Sequence, residues 1–436
     1  MAREVKDSGI ERIGEIPVHW QLAKMNSICA KITDYVASGS FASLAENVQY
    51  LDEPDYAMLV RTADVSRKGH VSKPVYINEH AYNFLSNSNL FGGEILLPNI
   101  GGVGEAYIVP KLYERMSLAP NAIMVKTRYD DRYYYYFFNC DAGSRALVEI
   151  SQSTAQAKFN KTDFRQIKGI VPPLAEQQRI ADYLDHKCSE IDAVIANTQR
   201  TLEEYRELRK AIITKAITKG VRGARDMKDS GSVWFGEIPA EWRMVRLKYM
   251  FHIKKDIAGK EGYTVLSITQ RGITPKNIES NEGQLAADYS KYQLVEPGNF
   301  AMNHMDLLTG WVDISKYDGV TSPDYRVFVL DDEASNKEYY LYMMQMCYFN
   351  RIFYGLGQGV SGMGRWRLQA DKFLNFYIAV PPAEEQDEIV EALKRQLSEM
   401  DALIAAKEQL LTEMESYKKS VIYEYVTGKK EVPACQ

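Results

Sequence analysis

The sequence predicts an α+β protein of tandem design: two mixed α/β modules separated by two long helices that pair as an antiparallel coiled coil, the whole forming a pseudo-two-fold repeat. Three observations carry this expectation. The stretch V-P-P-L-A-E-Q-Q at residues 171–178 opens a segment with no Pro or Gly until Gly220. A second entry, V-P-P-A-E-E-Q at residues 380–386, opens another long helical pattern. The run K-D-S-G-I-E-R-I-G-E-I-P-V-H-W at residues 6–20 returns as K-D-S-G-S-V-W-F-G-E-I-P-A-E-W at residues 228–242. A period this long marks a duplicated unit.

The helices come first because their pattern is strongest. Paired prolines followed by Glu and Gln read as an extended segment feeding a helix start. Cys188, Ile191, Ile195, Thr198, Leu202 and Tyr205 step by alternating threes and fours, the spacing of a coiled-coil seam. Shifting that seam by 209 residues lands on Leu397, Met400, Ile404, Lys407, Leu411 and Met414, and its polar position is kept, Thr198 against Lys407. A helix over residues 176–217 would be roughly 63 Å long and needs a partner to bury its stripe. The link from Gly220 to Val233 reaches at most ~50 Å, so an antiparallel pair fits the connection. The expected division is 1–175 for the first module, 176–220 for helix one, 221–382 for the linker and second module, and 383–436 for helix two and the tail.

Within the modules, residues 56–65 and 263–273 read as matching strands with polar ends. Residues 91–109 read as strand, Gly-rich turn, strand, with 297–314 as the counterpart. The aromatic runs at 132–140 and 338–347 read as helices packed into each module's core rather than as stacking platforms for bases. A polar turn precedes each V-P-P, at 151–161 and 355–367.

Composition excludes several classes. Residues 1–175 carry 19 basic and 19 acidic groups, and residues 220–382 also carry 19 and 19. The net charge of −5 comes from the last 54 residues, with 7 basic and 12 acidic groups. No module is a bulk polycation, so any nucleic-acid contact must be local or shared with a partner. The absence of a long apolar run, the N-terminus M-A-R-E-V-K-D and five scattered cysteines predict a cytoplasmic protein without membrane spans, structural disulfides or zinc. There is no G-x-x-x-x-G-K-[ST] loop, and Gly101, Gly102 and Gly104 precede a strand pattern rather than a helix. His304 stands without an H-x-x-x-H or Cys/His cluster. No catalytic constellation and no metal site is expected.

In these repeated motifs the chain resembles the DNA-specificity subunits of type I restriction–modification systems. G-E-I-P-x-x-W, a variable module, P-P-x-x-E-Q and a long helix, all repeated, carry the likeness over essentially the whole chain. P-G-N-F at 297–300 and S-P-D-Y at 322–325 add to it. The second helix entry departs by having Ala383 and Glu384 where the first has Leu174 and Ala175.

The resemblance implies a non-catalytic subunit. Each module would be a target-recognition domain reading half of a bipartite, asymmetric target in double-stranded DNA, and the coiled coil would set the spacer. Two methyltransferase subunits would dock on this frame and carry S-adenosylmethionine. Motor–nuclease restriction subunits would join with ATP and Mg. The competing reading is a coiled-coil adaptor without DNA readout, which has less reason to vary both modules. For base reading the expected residues are polar and lie in turns. They are Arg61, Thr62, Asn99, Ser153, Gln156, Lys158 and Lys161 in the first module. In the second they are Gln270, Arg271, Asn303, His304, Gln358, Arg365 and Arg367. Arg suits guanine, and Asn or Gln suits adenine, in the major groove.

Overall fold

Four helices organise the chain in the computed structural model: α1 (Asp131–Asn139), α2 (Leu174–Lys219), α3 (Lys337–Phe349) and α4 (Ala383–Val426). The structure describes residues 3–66, 73–151, 157–278, 286, 288–359 and 366–433. The chain divides into two units, residues 1–198 with 409–436 and residues 199–408, so each unit contains the start of one long helix and the end of the other. At 46 and 44 residues the long helices exceed the expected span. Helix α2 begins directly after Pro173, whose carbonyl accepts from the Glu176 and Gln177 amides. It ends at Gly220, whose φ of +73° suits the left-handed residue that closes a helix.

The first unit centres on a four-stranded antiparallel sheet, β1 (Cys29–Asp34), β2 (Ile95–Pro98), β3 (Tyr107–Ile108) and β4 (Ala122–Thr127), in spatial order β1-β4-β2-β3. Alternation sorts its side chains to two faces. Ile95, Leu97, Ile123 and Val125 pack with the α1 aromatics Tyr133, Tyr134, Phe137 and Phe138 and with α2 and α4. Leu96 and Met124 face a second sheet, in which Met116–Leu118 runs parallel to Ala57–Val60. The aromatic run is therefore core, as expected.

One expectation changes here. The strand read over residues 56–65 stops at Val60, and Thr62–Ser66 is helical. Asp64 causes the break. Its carboxylate accepts from the Arg61 backbone amide at 3.0 Å, which turns the chain.

The second unit repeats the topology. Strands β5 (Phe251–Lys254), β6 (Phe300–Met302), β7 (Val312–Ile314) and β8 (Arg326–Leu330) lie in the order β5-β8-β6-β7, all antiparallel. Phe251, Phe300 and Phe328 pack with α3 and with the α2 and α4 segments of this unit. The stretch read as one strand over 263–273 is instead a hairpin, Leu266–Thr269 with Gly272–Pro275.

Each unit also sets the start of one long helix beside the end of the other. In the first unit, Lys418 of α4 bonds Asp192 of α2 at 2.7 Å, and the Tyr183 and Tyr425 rings pack with centroids 4.5 Å apart, tilted by 43°. In the second, Arg209 pairs with Asp401 at 3.0 Å and Arg206 with Glu408 at 2.9 Å. Rising numbers on α2 meet falling numbers on α4 in both units, so the segments are antiparallel. Of the expected seam, Cys188, Ile191, Thr198, Leu202, Leu397 and Met400 are buried. Ile195, Tyr205, Ile404, Lys407, Leu411 and Met414 are half-buried.

The repeated motifs meet at one node per unit. Strand pairing of Gln21–Lys24 with Lys168–Val171 brings Trp20 to the start of α2. The Trp20 indole donates to Glu176 at 2.9 Å, Arg3 pairs with the same carboxylate at 2.7 Å, and the Arg3 guanidinium lies over the ring at 5.4 Å. Burial pushes the Glu176 carboxyl up, but the bonds from Trp20 and His19 and the charges of His19 and Arg3 outweigh it and hold its pKa below 4.5.

In the second unit Trp242 donates to Glu385 at 2.9 Å, and Arg225 pairs with Glu385 at 2.6 Å and covers the ring at 5.5 Å. The Gln that follows each Glu fastens the aromatic helix. Gln177 donates to Pro172 O and accepts from the Asp130 amide, while Gln386 donates to Pro381 O and accepts from the Asn336 amide. Asp130 and Asn336 are the N-caps of α1 and α3.

Glu385 is fully buried. Glu385→Ala leaves the buried Trp242 N–H without its acceptor, while Arg225 keeps Glu241 as a carboxylate partner, and should destabilise the second unit by about 1–3 kcal/mol. Trp242→Phe, which removes one bond to a carboxylate, should cost about 1–3 kcal/mol. Urea unfolding of the full chain measures both, and a loss on Glu385→Ala no larger than the ~0–1 kcal/mol of a surface pair would deny the node its role.

Candidate nucleic-acid interface

The polar turns expected to read bases fall into two groups. In the first module Asn99 follows β2, and its backbone and side chain both bond the Phe159 backbone: Phe159 N donates to Asn99 O and Asn99 Nδ2 donates to Phe159 O, both at 3.2 Å. Ile100 bridges Lys158. The turn after β2 and the segment before V-P-P, far apart in sequence, therefore lie side by side. Lys158 is exposed there. Lys161 opens the helix Lys161–Gln166 and bonds Asp34 at the end of β1 at 2.7 Å. The Asn99 carboxamide oxygen is buried with no partner among the described residues.

Arg61 and Thr62 lie elsewhere, after strand Ala57–Val60. The Arg61 fork is engaged within the chain, with Nε and Nη2 on Asp64 at 3.0 and 2.7 Å and Nη2 also on Lys73 O. The hydrogen bond and the charge of Asp64 outweigh burial and raise the Arg61 pKa further. Ser153 and Gln156 lie outside the described residues.

The second module repeats the juxtaposition. Asn303 and His304 follow β6, and Leu368 N donates to His304 O at 2.9 Å. Gln358 and Arg367 exchange backbone bonds at 3.0 and 3.2 Å. His304 and Arg367 thus meet as Asn99 and Lys158 do. The Asn303 side chain serves its own turn, accepting from the amides of Met305 and Asp306. Gln270 and Arg271 form the exposed tip of the hairpin, and Gln270 donates to Thr309 O at 3.2 Å. Arg365 lies outside the described residues.

Sequence reasoning passed over a residue beneath this turn. Arg326, at the start of β8, is 5% exposed, yet no carboxylate pairs with it among the described residues. Its Nη2 donates to Leu368 O at 2.8 Å, and its guanidinium covers Phe373 at 4.9 Å. Burial depresses its pKa to about 10. The signal available was one arginine opening the apolar run R-V-F-V-L. Arg326 anchors the backbone that carries Arg367 and also acts on His304. Burial lowers the imidazole from 6.5 to about 3, with Arg326 and Arg367 acting the same way. His304 is therefore neutral at pH 7, and its Nδ1 has no partner among the described residues.

The unfolded chain takes up a proton below pH 6.5 that the folded imidazole refuses until about pH 3. Stability from this site is complete above pH 6.5 and falls with pH below it, by at most ~1.4 kcal/mol per pH unit. His304→Gln should flatten the pH dependence of the urea midpoint between pH 6.5 and 4.5. An unchanged slope would place the imidazole in solvent.

The described residues hold no group of three or more His, Cys, Asp or Glu able to bind a metal. No helix among them is long and apolar enough to cross a membrane.

A duplicated frame that presents paired polar turns from two like modules defines a modular recognition protein. Comparison with known proteins specifies the class. The sequence model of the type I restriction modification DNA specificity domain matches residues 17–204 and 239–413. The chain belongs to that family. It is 28% identical over 377 residues to the type I restriction enzyme MjaVIII specificity subunit of Methanocaldococcus jannaschii, covering 83% of this chain and 81% of the relative. It is 22% identical over 464 residues to the putative type I restriction enzyme MjaX specificity subunit of the same organism, covering 96% of each. A solved structure from work on complex assembly and conformational transition of the type I R-M system shares the fold, with a TM-score of 0.67 at 13% identity, over 95% of this chain and 99% of that one.

Proposed function

We propose that the chain is the non-catalytic DNA-specificity subunit of a cytoplasmic type I restriction–modification complex. Each module reads one half of a bipartite, asymmetric duplex target. The long helices set the spacer and dock two methyltransferase subunits, which bring S-adenosylmethionine. Restriction subunits bring ATP and Mg. In this reading segments 1–175 and 221–382 recognise DNA, and segments 176–220 and 383–436 form the frame.

The observation that carries the reading is the repeated juxtaposition of Asn99 with Lys158 and of His304 with Arg367. Two sequence-distant polar segments converge at the end of the corresponding inner strand, β2 or β6, in both modules, while the residues around them differ. Side chains that contribute little to the core are free to specify different bases. An adaptor would have no use for this pattern. The modules are neutral by composition, so much of the phosphate affinity would come from partner subunits and from local cations.

Two outcomes test it. Exchanging residues 233–380 for those of a relative should alter one half of the methylated motif and leave the other unchanged, as read by sequencing modified adenines. A change in both halves would end independent reading. Arg367→Ala in the assembled methyltransferase should cost about 1–3 kcal/mol on the cognate duplex and relax specificity at one position of the second half-site. Equal losses on cognate and scrambled duplexes would make Arg367 a backbone contact.

A further inference from the structure

The second unit contains a cavity of about 840 Å³ between α2 and the second module. Its helix wall bears Arg206, Arg209 and Lys210, its module wall bears Arg271 and Arg351, and Trp311 lies among them. Glu203 and Asp313 are its acidic lining residues.

The two walls differ in how their charges are met. The helix cations have carboxylate partners: Arg206 with Glu408 at 2.9 Å, Arg209 with Asp401 at 3.0 Å and Lys210 with Glu207 at 2.5 Å. The Arg271 and Arg351 guanidinium groups have neither ion pair nor hydrogen bond among the described residues. Asp313 is already occupied, since its oxygens accept from the amides of Ile273 and Ile314 at 3.1 and 2.8 Å.

Arg351 is also held at a cost. Its φ of 56° and ψ of 24° are left-handed, which costs an L-residue roughly 1–2 kcal/mol relative to the right-handed form. The position is fixed from the neighbouring residue, where Asn350 donates to Thr214 on α2 at 2.9 Å. A long cation is thus set in a strained link, against the helix, with its charge unmet.

On the reading that this chain recognises DNA, we propose that the cleft is a phosphate clamp. Arg271 and Arg351 hold the sugar–phosphate backbone beside the second module. Arg206 and Arg209 exchange carboxylate for phosphate as the strand enters, a cheap exchange because exposed pairs are worth only ~0–1 kcal/mol. Arg271 then positions the duplex and does not read a base, and the long helix contributes to DNA contact as well as to spacing.

The test uses the full chain assembled with its methyltransferase subunits and fluorescent cognate and scrambled duplexes between 50 and 200 mM salt. Arg271→Gln with Arg351→Gly should weaken both duplexes by the same factor, reduce the slope of log K against log salt by about 2, and leave the methylated motif unchanged. Arg351→Gly alone should melt no lower than the parent, because glycine adopts that backbone without strain, so lost binding cannot be lost folding. An unchanged slope overturns the clamp, and so does a loss confined to the cognate duplex, which would make these arginines base readers. Intact DNA affinity with loss of the methyltransferase subunits overturns it in favour of an acidic protein segment. Failure of the parent assembly to bind any duplex would instead remove the underlying DNA-recognition reading.

Discussion

An indole N–H bonded to a carboxylate in the first turn of a long helix occurs twice in this chain, and the other repeated features converge on it. Each Trp is fully buried, so its N–H needs an acceptor inside the protein. Each Glu gains from the positive end of its helix. An arginine over the ring closes the charge balance, and the residue that ends the other long helix packs against the group. A Cβ at Gly428 would come within 2.9 Å of Trp20, and one at Gly220 within 2.6 Å of Glu385. One small polar cluster thereby fixes the hairpin of Val5–Asp7 with Glu15–Pro17, or of Met227–Asp229 with Glu237–Pro239, together with a strand pair, one helix start and one helix end. This accounts for why G-E-I-P-x-x-W and P-P-x-x-E-Q occur together in each repeat.

The nodes are not copies in their outer contacts. His19 binds Glu176 in the first, whereas Glu241 occupies the matching position in the second and binds Arg225. Arg222 pairs with Glu388 nearby, and the bonds and charge of that carboxylate outweigh burial and raise the Arg222 pKa. The inner Trp–Glu–Arg contact is kept while the solvated rim changes. The modules follow the same division. Sheet order, aromatic helix and the Gln fastening are shared, whereas the turns at the sheet ends carry unlike residues.

The long helices were legible in the sequence because periodicity over more than 40 residues leaves few alternatives, and the aromatic runs were legible because apolar continuity marks core. Local turn chemistry was harder to read. The helix Thr62–Ser66 continues an apolar strand pattern and is set by the Asp64 carboxylate turned back on its own backbone. Arg3 and Arg225 lie three residues before the K-D-S-G of each repeat. R-E-V-K-D-S-G and R-D-M-K-D-S-G carry them at matching positions. Arg326 and Arg351 were beyond reach, one because burial of an unpaired arginine is a tertiary fact, the other because a left-handed arginine leaves no mark in composition. Among the candidate readers, the sequence supplied residue types and turns. It could not supply the pairing of residue 99 with 159 or of 304 with 368, which exists only once the sheet has formed.

Charge distribution ties these points together. Each module is neutral overall, so long-range attraction to a polyanion is weak and cannot by itself orient a duplex. Orientation must then come from cations placed one at a time, each requiring a rigid support. Arg367 has such support in the backbone bond exchange with Gln358 and in Arg326 beneath it. Arg351 has it in the Asn350–Thr214 bond. Arg61 does not present a free fork, because Asp64 already holds it. Whether a cation is available to a ligand is therefore decided by the acid beside it as much as by its exposure. By that criterion Arg271 and Arg351 are open to a ligand, whereas Arg61 and Lys161 are committed, to Asp64 and Asp34.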